Sequence, residues 1–179
     1  IQPGGAYYTV RNGSSIIAFR IGSSLEDYSF KIAVSHSDFP TFKLKEKAEL
    51  SVKDHYVKLN TEGYGSILCT TWMDRPLSLA GRAILRDKDG FREALVKIDR
   101  DLVLIPSVAI HMNREINEKN SINKQVDMLP LFAGKASDME GAVRQMVAEE
   151  LGTGSEEIMG MDLYLYNRMR PSLSLIHIS

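Results

Sequence analysis

The sequence has little cysteine: Cys69 is the only one in 179 residues, which excludes an intramolecular disulfide framework and an all-cysteine zinc cluster. A lone thiol suits a reducing compartment, and a cytoplasmic location is the expectation. An excess of either charge is also missing. With 22 Lys+Arg against 23 Asp+Glu, the formal net charge of -1 leaves no global basic field to attract nucleic acid or an anionic membrane. No run approaches the roughly 18 apolar residues of a membrane span. The opening Ile1-Gln2-Pro3-Gly4-Gly5 has neither the basic stretch nor the apolar core of a secretory signal. Neither nucleic acid nor membrane is therefore expected as a partner. Internal repeats and low-complexity tracts are lacking too. What is present, 44% hydrophobic and 25% charged residues, is enough for one folded domain or two small ones with a buried core.

Both ends look cut. The chain begins on Ile1 rather than Met and enters a glycine-rich loop directly, as a segment of something longer would. Residues Leu173-Ser174-Leu175-Ile176-His177-Ile178-Ser179 resemble the translation of a sequencing-adapter end and are expected to be a cloning scar. The last natural position is then about residue 172, and His177 has no role.

The pattern between the ends is rich in strands. Ala6–Val10 and Ser15–Ile21 flank Arg11-Asn12-Gly13-Ser14, a hairpin signal. Phe30-Lys31-Ile32-Ala33-Val34 is apolar and β-branched, which predicts a mostly buried strand ending at Ser35-His36-Ser37-Asp38. Apolar and charged residues alternate from Thr41 to about Asn60, as in half-exposed strands. Asp87-Lys88-Asp89-Gly90 between two apolar runs predicts a second hairpin, and Leu102–Ile105 a strand stopped by Pro106. A helix is expected near 138–151. Ser137 and Glu140 would form a capping box, Val143, Met146, Val147 and Leu151 share a face, and Gly152 stands where the chain should leave the helix. Met161–Tyr166 alternates again and predicts a last strand.

The chemistry concentrates at Val34-Ser35-His36-Ser37-Asp38-Phe39-Pro40, a His-x-Asp step at a predicted strand end, where ligands commonly bind in α/β sheets. A histidine with a nearby carboxylate can be a metal ligand with its supporting acid. Taken alone, the step reads more simply as a loop histidine hydrogen-bonded to Asp38. The remaining candidates have plain readings: Cys69 as a small buried hydrophobe, His55 facing solvent, Asp74, Arg75 and Arg82 in surface ion pairs or lining a dimer surface, Trp72 as core filler or interface anchor. Gly4-Gly5 and Gly63-Tyr64-Gly65 lack the spacing of a phosphate cradle. Lys43, Lys45 and Lys47, interleaved with Glu46 and Glu49, describe a solvated strand face.

Three blocks taken together go further. Ser35-His36-Ser37-Asp38-Phe39-Pro40 is followed by Phe42-Lys43-Leu44-Lys45, then by Cys69-Thr70-Thr71-Trp72-Met73-Asp74-Arg75-Pro76-Leu77-Ser78-Leu79-Ala80-Gly81-Arg82, then by Ile105-Pro106-Ser107-Val108-Ala109-Ile110-His111-Met112-Asn113-Arg114. In order and spacing this resembles the aspartyl aminopeptidase family of zinc metallopeptidases, over nearly all of residues 4 to 172. Pro76 departs from the acidic residue expected there.

The resemblance implies an α/β peptidase domain holding two zinc ions, with a β-rich dimerisation domain inserted after the first metal-binding histidine. Residues 1–45 would then begin the peptidase domain, 46–157 form the insert and 158–172 return. His36 matches the first metal ligand and Asp38 the acid that orients it. His111 matches a histidine in the insert that either binds zinc or reaches the substrate in a neighbouring subunit. The implied activity is removal of single residues from peptide N-termini by a homo-oligomer, acidic ones by the family's name although its bacterial-type relatives need not share that preference, with other divalent metals able to stand in for zinc. The family's later ligands, a bridging Asp, a Glu base, a further carboxylate and a last His, have no counterpart here, and Glu156, Glu157 and Asp162 match no ligand motif. The fragment alone is expected to be inactive. The alternative is a non-catalytic β-rich dimerisation module.

Overall fold

A computed structural model describes residues 1–26, 29–119, 121–134 and 139–170. The segments left out include Ser137 of the expected capping box and all of 173–179, so those expectations lie outside the described residues. The chain divides into two compact units, residues 1–38 and 39–179.

The first unit contains the expected hairpin. Strand β1 (Ala6–Arg11) pairs antiparallel with β2 (Ser15–Arg20), from Ala6 opposite Arg20 to Arg11 opposite Ser15. Asn12 and Gly13 both take positive φ, 53° and 63°, and the Ser14 N–H closes the turn on the Arg11 carbonyl at 3.2 Å. This is the turn whose twist matches that of the flanking strands, and Asn-Gly is the pair that tolerates it. Tyr7 stacks on its cross-strand partner Phe19, with ring centroids 5.6 Å apart.

The strand expected at 30–34 does not form. Residues 29–40 have no regular structure, and Val34 is 89% exposed. Its apolar residues signal a position buried on both sides, but strand propensity is realised only against neighbouring strands, and among the described residues this segment is in neither sheet.

The second unit is a six-stranded antiparallel sheet. Its strands are β3 (Thr41–Val52), β4 (Tyr56–Tyr64), β5 (Leu77–Asp87), β6 (Gly90–Lys97), β7 (Leu131–Gly134) and β8 (Ile158–Asn167), in the order β6-β5-β8-β3-β4-β7. The Asp87–Gly90 hairpin forms as expected, with Asp87 opposite Gly90. The β3–β4 turn has no glycine, so the sequence does not announce it. Lys53 and Asp54 both adopt left-handed φ, and the His55 N–H reaches the Val52 carbonyl at 3.0 Å. Leu102–Ile105 makes only isolated bridges, Val103 to Leu77 and Leu104 to Leu131. Strand β8, which the sequence assigns to the chain's return, runs hydrogen-bonded between β5 and β3.

One helix, α1 (Ala142–Leu151), covers the apolar face of the sheet with Val143, Met146, Val147 and Ala148. It starts four residues later than expected. Gly141 is the N-cap, with no side-chain cap hydrogen bond of its own. The carboxylate of Glu49 on β3 supplies the missing acceptor instead, taking the Val143 N–H at 2.8 Å. At the other end Gly152 sits at φ 64°, with the Thr153 N–H on the Ala148 carbonyl and its own N–H on Glu149, as its position in the sequence predicts.

The sheet face opposite the core carries charge. Lys43, Asp162, Arg82 and Glu93, one each from β3, β8, β5 and β6, form a chain of contacts of 2.7, 3.8 and 3.3 Å across four strands. All four side chains are more than a third exposed, so the ladder favours register more than it adds stability. Gly81 faces the backbone of β8 so closely that a Cβ there would overlap the Asp162 carbonyl oxygen.

Candidate functional site

His36 lies in the exposed segment that follows the hairpin, its side chain 82% exposed. Its Nδ1 is 2.8 Å from the Asp38 carbonyl oxygen and 2.9 Å from the Asp38 carboxylate. Both partners are acceptors, so Nδ1 carries the hydrogen and donates it. In the neutral ring the lone pair is therefore on Nε2, directed away from Asp38. The hydrogen bond to the Asp38 side chain, then that to its carbonyl, then its charge raise the His36 pKa above the ordinary value near 6.5.

Metal-binding histidines are commonly held in this way, by a carboxylate that fixes the tautomer. A neutral Nε2 suits zinc, and the acid behind it increases ligand basicity. The donor set is nonetheless incomplete: among the described residues no group of three or more His, Cys, Asp or Glu is placed to hold a metal ion. The residues present fit zinc as one ligand and its support.

His111 belongs to the second unit. It lies in the loop after Ile105, within a turn closed by the Met112 N–H on the Ala109 carbonyl at 2.8 Å, and it is exposed with its neighbours Val108 to Met112. The start of the loop is bound by a residue from another segment, Asp74, for which the sequence predicts a surface ion pair. Asp74 instead donates its N–H to the Ile105 carbonyl, at 2.9 Å, and accepts the Ser107 N–H on its carboxylate, also at 2.9 Å. The Ser107 hydrogen bonds hold the Asp74 carboxyl below its usual pKa. The sequence signal for this role is slight: an Asp tolerates the left-handed φ of 54° found there, as few other residues do.

The other candidates have structural places. Cys69 opens a short 3-10 turn and is half-buried against the core. Trp72 meets Phe42 edge-on, centroids 5.6 Å apart. His55 is exposed in the β3–β4 turn. Asp162 is engaged by Lys43 and Arg82, and Glu157 by the Thr153 hydroxyl. A broad groove beside the start of α1 is lined by both signs of charge, Glu46, Glu49 and Glu140 with Lys47 and Arg144, and no histidine lines it. Among the described residues no helix is long and apolar enough to cross a membrane.

The family model described as aminopeptidase I zinc metalloprotease (M18) matches residues 1–174. A probable M18 family aminopeptidase 2 from Clostridium acetobutylicum is 42% identical over 171 residues, covering 93% of this chain and 40% of that protein. Among solved structures, the Ape4 and Nbr1 complex superposes with a TM-score of 0.84 at 32% identity, covering 99% of this chain and 37% of its own. The mApe1 structure from Chaetomium thermophilum gives 0.78 at 29%, covering 98% and 43%. The chain thus spans about two fifths of the length of the relatives it matches.

Proposed function

Because the chain belongs to the aminopeptidase I (M18) family of zinc metalloproteases, we propose that it supplies the first metal ligand, His36, to a two-zinc site that removes single residues from peptide N-termini. The observation that carries this reading is the double hydrogen bond from His36 Nδ1 to Asp38, which leaves Nε2 as the ligating atom. Asp38 holds the proton on Nδ1 and sets the ring's orientation. Zinc, when bound, would lower the pKa of a water and polarise the peptide carbonyl. His111, on its exposed loop, is assigned to the substrate or the developing oxyanion in a neighbouring subunit, with zinc ligation as the second assignment. Acidic N-terminal residues are the proposed substrates, on the family resemblance alone.

Residues 46–157 are proposed to form the insert through which a homo-oligomer assembles, with 158–172 returning to the peptidase domain. Support comes from β6, a sheet edge whose Phe91 and Leu95 are 70% and 86% exposed. A cytoplasmic setting is proposed from the single free cysteine. The chain by itself is proposed to be inactive, since the donors of His36 and Asp38 fall short of a metal site.

The test is hydrolysis of Asp- and Leu-anilides by this chain and by the chain extended to the length of its relatives. Each is assayed with zinc, with chelator, and as His36→Ala and His111→Ala variants. Metal-dependent release by the extended chain, lost in His36→Ala, is the expected result. Activity indifferent to chelator or to His36, or none from a folded, zinc-loaded extended chain, overturns the reading.

A further inference from the structure

From Pro106 to Met112 the chain has no buried residue, so packing does not set the direction of this loop. What fixes it lies at its base. Ile105 is fully buried, and Ser107, the second residue past it, is tied to another segment by its N–H on the Asp74 carboxylate. With its own N–H on the Ile105 carbonyl, Asp74 grips the chain on both sides of Pro106. It does so from a left-handed backbone, which Asp adopts more readily than most residues. His111 follows four residues after the gripped amide.

We infer that Asp74 is a positioning residue, which fixes the base and exit direction of the loop carrying His111. The inference rests on the role proposed for His111. Asp74 does not touch substrate in this scheme; it acts through Ser107. The lowered pKa of Asp74 is consistent, since the carboxylate form is the better acceptor.

Two variants separate its backbone role from its acceptor role. Asp74→Gly keeps the left-handed conformation and removes the acceptor, whereas Asp74→Asn keeps both. Amide exchange and peak positions are read by NMR on the full chain. The expected result in Asp74→Gly is exchange about tenfold faster at Ser107 and shifted or broadened signals for Val108–Met112, with core amides such as Leu79 and Leu163 unchanged. Asp74→Asn should restore the native pattern. Unchanged Ser107 exchange in Asp74→Gly, failure of Asp74→Asn to restore it, or loss of protection spread through the core each overturns the inference. In the anilide assay Asp74→Gly should reduce kcat as His111→Ala does, with rescue by Asp74→Asn. A loosened loop in Asp74→Gly, beside hydrolysis untouched by His111→Ala, would leave the clamp standing and remove only the role given to His111.

Discussion

Glu49 accepts the backbone N–H of Val143 at 2.8 Å, a carboxylate on β3 capping a helix 94 residues further along the chain. The contact is partly buried, and the N-cap residue itself, Gly141, contributes no side-chain acceptor. Replacing Glu49 by Ala should therefore cost about 1 kcal/mol, the usual cost of a lost helix cap, and Glu49→Gln less. Urea midpoints of the two variants check this; equal stability of Glu49→Ala and the parent would contradict it.

Gly81 offers a larger effect. A methyl group there meets the Asp162 carbonyl, which is backbone and cannot swing aside. Gly81→Ala should separate β5 from β8 and destabilise the second unit by about 2–4 kcal/mol, in the range of overpacked or strained sites. A thermal melt unchanged by the substitution would show that the strands can part freely.

His36 should titrate above the ordinary histidine value. Its folded pKa is raised by Asp38, so the pair's contribution is fully present below the unfolded value and is lost as pH rises through the folded one. Protons and zinc compete for the same ring, which makes metal uptake easier as pH rises. An NMR titration of the imidazole resonances should give a midpoint that falls in Asp38→Asn, though only in part, because the residue 38 carbonyl still accepts. The same midpoint in both proteins would contradict the contact.

At Asp74 the sign is opposite. Its folded pKa is lowered, so the stabilisation is complete above the ordinary carboxylate value and is lost as pH falls through the folded one. Stability of the parent should decline more steeply between pH 5 and about pH 2 than that of Asp74→Asn, which has no proton to take up. Parallel declines would show that the Ser107 contact is not linked to folding.

Local signals in the sequence were read well and distant ones poorly. Asn12-Gly13 and Asp87–Gly90 each declare a turn by residue type alone, and both hairpins form as the sequence predicts. Gly152 likewise ends its helix because few residues other than glycine sit easily at that φ. The helix start was misplaced because its acceptor, Glu49, comes from another strand, and no local pattern records that. Phe30–Val34 has the composition of a buried strand, but pairing depends on neighbours that composition cannot supply. The same holds at the candidate site. His36 and Asp38 are two residues apart and their contact was legible, whereas Asp74 and Ser107 are 33 residues apart and theirs was not.

Strand β8 comes last along the chain and sits third in the sheet, with the β5–β6 hairpin on one flank and the β3–β4 hairpin on the other. During synthesis both ribbons can close early, since their pairings are local, but each must then wait with its apolar side uncovered. The sheet becomes continuous only when residues 158–167 slide in between, so the slow, long-range step of folding waits for that segment to emerge. A ribosome pausing before residue 158 would therefore hold out two open ribbons, a natural substrate for a chaperone.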